Sequence, residues 1–286
     1  MTPEHVHPVP AGPGPFWSDL AGPCVAAGAL AAGAAYLLAA HRLRRRGDAW
    51  PWPRDASFTA GCLAVAWAMT AGPPGGPFTV HVTRHLVAGM AAPLLLVLAR
   101  PLTLSLRVLP PGRLRRALPA AAHARPATVL LLPPVAAVVD IGGLWLLHRT
   151  DLFAAAHRQP LLYAVTQTHV LAAGLLFTFA VCQLDPVRHR RGLALRGSAL
   201  LAAGAAHAVL AKGLYAAPPP GTDFTAADLH TGAQLMYYGG DLAEIALAVT
   251  LAVQWYTRRH ARRSTRWPEG ASARSGTPAA RRTQFS

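Results

Sequence analysis

The chain has 286 residues, 52% hydrophobic and only 14% charged, with a formal net charge of +15. Ordinary water-soluble domains carry about 25% charged residues, so this composition argues against one. Its basic residues sit in short clusters between long apolar runs, without interleaved aromatic platforms; this disfavours a nucleic-acid binder and suits a polytopic membrane protein whose basic loops lie against anionic lipid.

The N-terminal segment MTPEHVHPVPAGPGPFWSDL has no lysine or arginine. A cleaved signal peptide needs a positive n-region, so the following apolar run is predicted to be a retained helix. Crossing a bilayer takes ~20 mostly apolar residues. Seven stretches qualify: 21–40, 56–72, 79–99, 127–147, 160–182, 194–216 and 232–257. The second, FTAGCLAVAWAMTAG, is the shortest and rich in small residues.

Orientation follows from the loops. Lysine and arginine number none before residue 21, five in HRLRRRGDAWPWPRD, none in GPPGGPF and six in 100–126. They then number two in 148–159, four in 183–196, none in 217–231 and eight from Arg258 onward. Low and high counts alternate, which predicts the N-terminus outside and the C-terminus in the cytoplasm. The expected architecture is therefore all-α: an integral membrane seven-helix bundle. An extracytoplasmic segment 1–20 precedes a transmembrane domain 21–257, and a basic cytoplasmic tail 258–286 of disordered composition follows.

Cys24, Cys62 and Cys182 fall in separate apolar runs without C-x-x-C spacing, which reads as small buried hydrophobes rather than a disulfide framework or zinc site. No G-x-S-x-G, H-E-x-x-H or phosphate loop is present, so nothing points to an enzyme.

In this topology the ionisable residues gather in the outer half. His81 and His85, four apart with Arg84 beside them, open the third span on one helical face. Asp140 lies about two turns below the outer end of the fourth span, His169 two to three turns into the fifth. His207 is at similar depth in the sixth, with Lys212 nearer the surface. His230, Gln234, Tyr237, Asp241 and Glu244, spaced 4, 3, 4 and 3, draw a polar stripe down the last span. Ionisable groups in hydrocarbon are costly and mark functional sites. A shared, outward-open cavity is expected, with His81, His85, His169, His207, His230 and Asp241 as candidate metal ligands. Arg84, Asp140, Lys212 and Glu244 would form a paired polar network around them. Imidazole with carboxylate suits zinc, iron or copper, and Met69, Met90 and Met236 would add thioether donors favouring copper. His5 and His7 could capture metal loosely. His148 and His157 read as solvated loop histidines.

At these residues the sequence resembles a family. HVTRHLVAGMAAPLLLVLARPLTLSLRVLP, THVLAAGLLFTFAVCQLDP and the final span from DLHTGAQLMYYGG are similar, in order and spacing, to the polytopic CtaG-type cytochrome c oxidase assembly factors. The resemblance extends over roughly 20–257. It implies a multi-pass bacterial plasma-membrane protein that assists assembly of a haem-copper oxidase, with oxidase subunits as partners; joined to the ligand-rich outer cavity, it leads to the expectation that copper ion is handled at the outer face. Three positions depart from the family pattern. Arg84 stands for a glutamine, Asp228-Leu229-His230 for an Asp-Gln, and Tyr237 or Tyr238 for a tryptophan. Two other classes fit the residues. One is a haem-binding electron carrier using His85 with His169 or His207. The other is an ion or metal transporter or a photoreceptor, with Lys212 as a Schiff-base site.

Overall fold

The computed structural model describes residues 16–122, 124–186 and 190–264. His5, His7, His123 and the tail beyond Ser264 lie outside the described residues. All regular elements among the described residues are helical. They are α1 (Phe16–Arg45), α2 (Trp52–Thr70), α3 (Pro77–His85), a π-helical turn (Leu86–Ala91), α4 (Ala92–Leu98), α5 (Pro101–Val108) and α6 (Arg113–Ala122). There follow α7 (Arg125–Leu130), α8 (Pro133–Arg149), α9 (Leu152–Arg158), α10 (Pro160–Cys182), α11 (Leu193–Ala216) and α12 (Ala226–Ser264). Proline opens α3, α5, α8 and α10, where its missing N–H has no intrahelical partner to lose.

Five segments are long and apolar enough to cross a membrane: Gly22–Arg45, Pro77–Val108, Pro160–Cys182, Leu193–Ala216 and Ala226–His260. The chain is thus built as a multi-pass membrane protein. Its outward faces agree, with Leu38, Val138, Leu201 and Leu242 all 60% exposed or more, which water-soluble surfaces rarely tolerate in such number. Helices also occupy the other two expected stretches, but α2 has 19 residues and α8 only 17. The expected fourth span is interrupted. α7 stops at Leu130, and Pro133-Pro134 begins a new helix because proline cannot continue the old one's hydrogen bonds. In return α8 runs on to Arg149, carrying His148 within its last turn.

Up to Leu251 the chain forms one compact unit. α1 packs on α2 and α5, α2 on α4, and α8 on α10 and α11. Two apolar cores follow one another along the bundle. One joins Phe78, Val82, Leu147, Phe153, Leu214 and Met236. The other joins Val97, Ala136, Phe177, Val181, Leu200 and Leu247. A second unit begins at Ala252. Within it α12 continues to Ser264, so the first seven residues of the expected tail are helical, and the Arg259 guanidinium lies 4.5 Å from the Trp255 ring centre.

Two aspartates cap helices distant in sequence. Asp228 of α12 accepts hydrogen bonds from the Phe78 and Thr79 amides (2.9 and 3.0 Å) and the Thr79 hydroxyl (2.6 Å) at the start of α3. Asp185, just beyond α10, accepts from the Leu102 and Thr103 amides (3.3 and 2.8 Å) and the Thr103 hydroxyl (2.6 Å) at the start of α5. Each target reads Pro-x-Thr, and each carboxylate satisfies N–H groups that a helix start leaves unpaired. The α5 end of the bundle holds further matched polar groups. Arg44 pairs with Asp55 and lies over Trp52, Tyr36 donates to the Ala99 carbonyl (2.8 Å), and buried Arg196 donates to the Val181 and Cys182 carbonyls that end α10.

Candidate functional site

At the opposite end, α3, α8, α9 and α11 bring histidines together. The four-residue spacing of His81 and His85 turns both inward, each 8% exposed. His148, 1% exposed, meets them from the end of α8, and His207, 2% exposed, from the middle of α11. His157, on α9, forms the rim. Ring centres are 5.4 Å apart for His81 and His148, 5.9 Å for His81 and His157, and 6.1 Å for His85 and His207.

The hydrogen bonding of these rings is incomplete in a consistent way. His148 Nδ1 bonds the Leu144 carbonyl (3.0 Å), and His157 Nδ1 the Phe153 carbonyl (2.9 Å). With Nδ1–H as the donor, the lone pair is left on Nε2. In His148 that Nε2 is buried without a partner, as are His81 Nε2, both ring nitrogens of His85 and His207 Nε2. Buried polar atoms are nearly always satisfied. Five orphaned nitrogens in one neighbourhood form a donor set without an acceptor of its own, the chemistry of a metal-ligand site. No three His, Cys, Asp or Glu side chains among the described residues converge on one point, however. Phe153 explains part of this. Its ring centre lies 4.7, 5.5 and 4.4 Å from those of His81, His148 and His157, in the space those three would share.

His85 and His207 have no such ring between them. They sit where the two apolar cores give way to one another, His207 between Leu200 and Leu210 and His85 between Val82 and Val97. His85 ends α3 at the π-helical turn, a distortion frequent at functional sites. Gly240 of α12 clears the room for His207, since a Cβ there would collide with the imidazole.

The rest of the expected ligand set is elsewhere. His169 is exposed on α10, its ring against Gly143 of α8. His230 is exposed and stacks on Tyr215 at 4.2 Å. The polar stripe of α12 flanks the buried seam instead of forming it. Leu229, Ala233, Met236, Gly240 and Leu247 face inward, while the stripe lies about 100° to one side. Asp241 is half-buried beside that seam. Among the described residues no ion pair joins Asp140, Lys212, Asp241 or Glu244. Lys212 lies over the Tyr237 ring at 5.2 Å, and Glu244 occupies space left by Gly204. Arg84 donates to the Ala71 carbonyl (3.1 Å) that closes α2 and reaches the Tyr163 hydroxyl at 3.5 Å. It lines a cavity of about 670 Å³ with His157, Tyr163, Gln167 and Met69. Met236 is fully buried in the apolar core.

Sequence reasoning missed His148 and His157 as site residues. The signal was present in LWLLHRTDLFAAAHR: an apolar run carries helix up to His148, and Phe153 and His157 are again four apart.

The model of the cytochrome c oxidase caa3 assembly factor family matches residues 34–258. An uncharacterized protein of Mycobacterium bovis is 32% identical over 234 residues, covering 74% of this chain and 35% of the relative. One from Mycobacterium leprae is 27% identical over 258 residues, covering 82% and 39%. The chain thus spans little more than a third of the length of these curated relatives. No solved structure matches it.

Proposed function

Because the chain belongs to the cytochrome c oxidase caa3 assembly factor family, we propose that it assists assembly of a haem-copper oxidase in the bacterial plasma membrane by handling copper at the buried histidine cluster. The observation that carries this reading is the group of orphaned imidazole nitrogens on His81, His85, His148 and His207. Imidazole donors suit copper, and the buried setting shields those nitrogens from bulk solvent. Copper is here cargo, not a resident cofactor, and no side chain is assigned a catalytic step.

The reading includes a topology. With α2 and α8 also crossing, seven spans place the histidine cluster in the outer half, because the loops at the opposite end carry the arginine-rich segments. A reporter fused after Arg258 should be cytoplasmic and a tag at Thr2 accessible from outside. Cytoplasmic labelling of residues 217–231 would reverse the orientation.

In cells, His85→Ala should lower active oxidase in membranes while leaving this protein's abundance unchanged, and added copper should restore part of the activity. His230→Ala, on an exposed ring outside the cluster, is the control. Normal oxidase in both His85→Ala and His207→Ala strains would overturn the reading.

A further inference from the structure

Five imidazoles make up the cluster at this end of the bundle, but they are not equivalent. His81, His148 and His157 surround Phe153, whose ring fills their common centre. His148 and His157 each spend one nitrogen on a carbonyl of their own helix. His85 spends neither, and both its nitrogens are buried without a partner. The ring opposite it, His207, has its Nε2 in the same condition. An imidazole nitrogen bonds a first-row metal at about 2.0–2.1 Å, and the ring centre lies roughly 1.1 Å further on, so two rings bound on opposite sides of one ion stand a little over 6 Å apart. The His85 and His207 centres are 6.1 Å apart with the planes 25° from parallel.

Resting on the copper reading above, we infer that His85 and His207 form a two-coordinate site for a monovalent soft ion, Cu(I), and that the other three histidines are not its ligands. The donor count selects the ion. Zinc in protein sites is almost always four-coordinate, and Cu(II) favours tetragonal sets. No third His, Cys, Asp or Glu converges with this pair among the described residues. A d¹⁰ monovalent ion needs only two opposed neutral donors. The site is also held open by design of the backbone. Gly240 removes the side chain that would displace the His207 ring, and a Cβ at Gly89, in the π-helical turn, would come within 3.3 Å of His85 Nδ1.

The test uses the full chain purified in detergent under anaerobic, reducing conditions. Cu(I) is titrated against a chromophoric Cu(I) chelator, and X-ray absorption reads the number of nitrogen neighbours. One equivalent of Cu(I) with two nitrogen donors is expected, without retention of Zn(II) against an equal concentration of competing Cu(I). His85→Ala and His207→Ala should each lose that equivalent, while His148→Ala and His157→Ala keep it. His207→Cys, which restores a soft donor, should retain it. Should an alanine variant fail to fold, His85→Gln and His207→Asn keep much of the volume and must lose the equivalent while remaining monodisperse. Three or four nitrogen donors, or Cu(I) retained when both His85 and His207 are replaced, would overturn the inference. So would its loss in folded His148→Ala. Failure here and failure of the assembly reading differ in kind. If Cu(I) binds through this pair but oxidase is normal in the His85→Ala strain, the site stands and the cellular role falls. If oxidase is lost but copper binds elsewhere in the cluster, the role stands and the pair falls.

Discussion

The two ends of the bundle use the same lock and then diverge. At each, a Pro-x-Thr helix start is closed by a remote aspartate making three hydrogen bonds, Asp228 to Thr79 and its neighbours, Asp185 to Thr103 and its neighbours. Around Asp185, arginines and carbonyls, Tyr36 and Trp50 are paired among themselves. Around the Asp228 end, four buried histidines are left with orphaned nitrogens. The chain can therefore satisfy polar groups inside its bundle and does so where the purpose is to hold helices together. The histidine cluster concentrates such atoms, with five orphaned nitrogens against Asp55 Oδ1 at the other end, and a concentration of this kind points to function.

The largest effect is expected at the lock that is most deeply buried. Asp185 is 1% exposed, and Asp185→Ala should cost about 2–4 kcal/mol, because three donors to a charged acceptor lose their partner together. Asp228, partly exposed, should cost less, about 1–2 kcal/mol as for an ordinary helix cap. Thermal melts in detergent give both values, and an equal cost at the two ends would break the comparison. Next comes Gly240→Ala, expected to destabilise by about 1–3 kcal/mol through overpacking and, unlike Asp185→Ala, to abolish Cu(I) binding in the protein that remains folded. Retained binding would show that His207 need not occupy its observed place. Arg44→Ala, which removes a partly exposed ion pair and a contact with Trp52, should cost about 1–2 kcal/mol and leave copper binding untouched. Smallest of all, His169→Ala and His230→Ala should change stability by no more than about 0.5 kcal/mol, the usual range for exposed positions.

Much of this was legible in the sequence, for reasons that particular residues make clear. Hydropathy places helices in all seven expected stretches, and the i, i+4 pair His81 and His85 announced an inward face. Rotation about the helix axis was harder to read. The stripe from His230 to Glu244 has the correct period but the wrong phase, because Ala233, Met236 and Gly240, one position away, pack better against α3 and α11 than a polar face would. His169 failed in the same way. It is exposed, with its ring against Gly143 of α8. His148 and His157 were hidden by a boundary: α8 continues past the expected end of its span, and α9 folds Phe153 back among the rings. Small residues gave the clearest positional information of all. Gly240 and Gly204 look like helix weakeners in the sequence, and each turns out to be the vacancy into which a polar side chain fits.

The cap supplied by Asp228 has a consequence for the order of events at the ribosome. Its contacts to Phe78 and Thr79 span 150 and 149 positions of sequence, which at bacterial and eukaryotic elongation rates corresponds to ~8–30 s of synthesis. Throughout that interval the first turn of α3 exists without its closure, and for most of it His85 is without His207. α12 is the helix that seals α3, so a chain interrupted before it leaves the start of α3 without its cap and the Gly240 side of His207 uncovered. The pocket is complete only once α12 has been made.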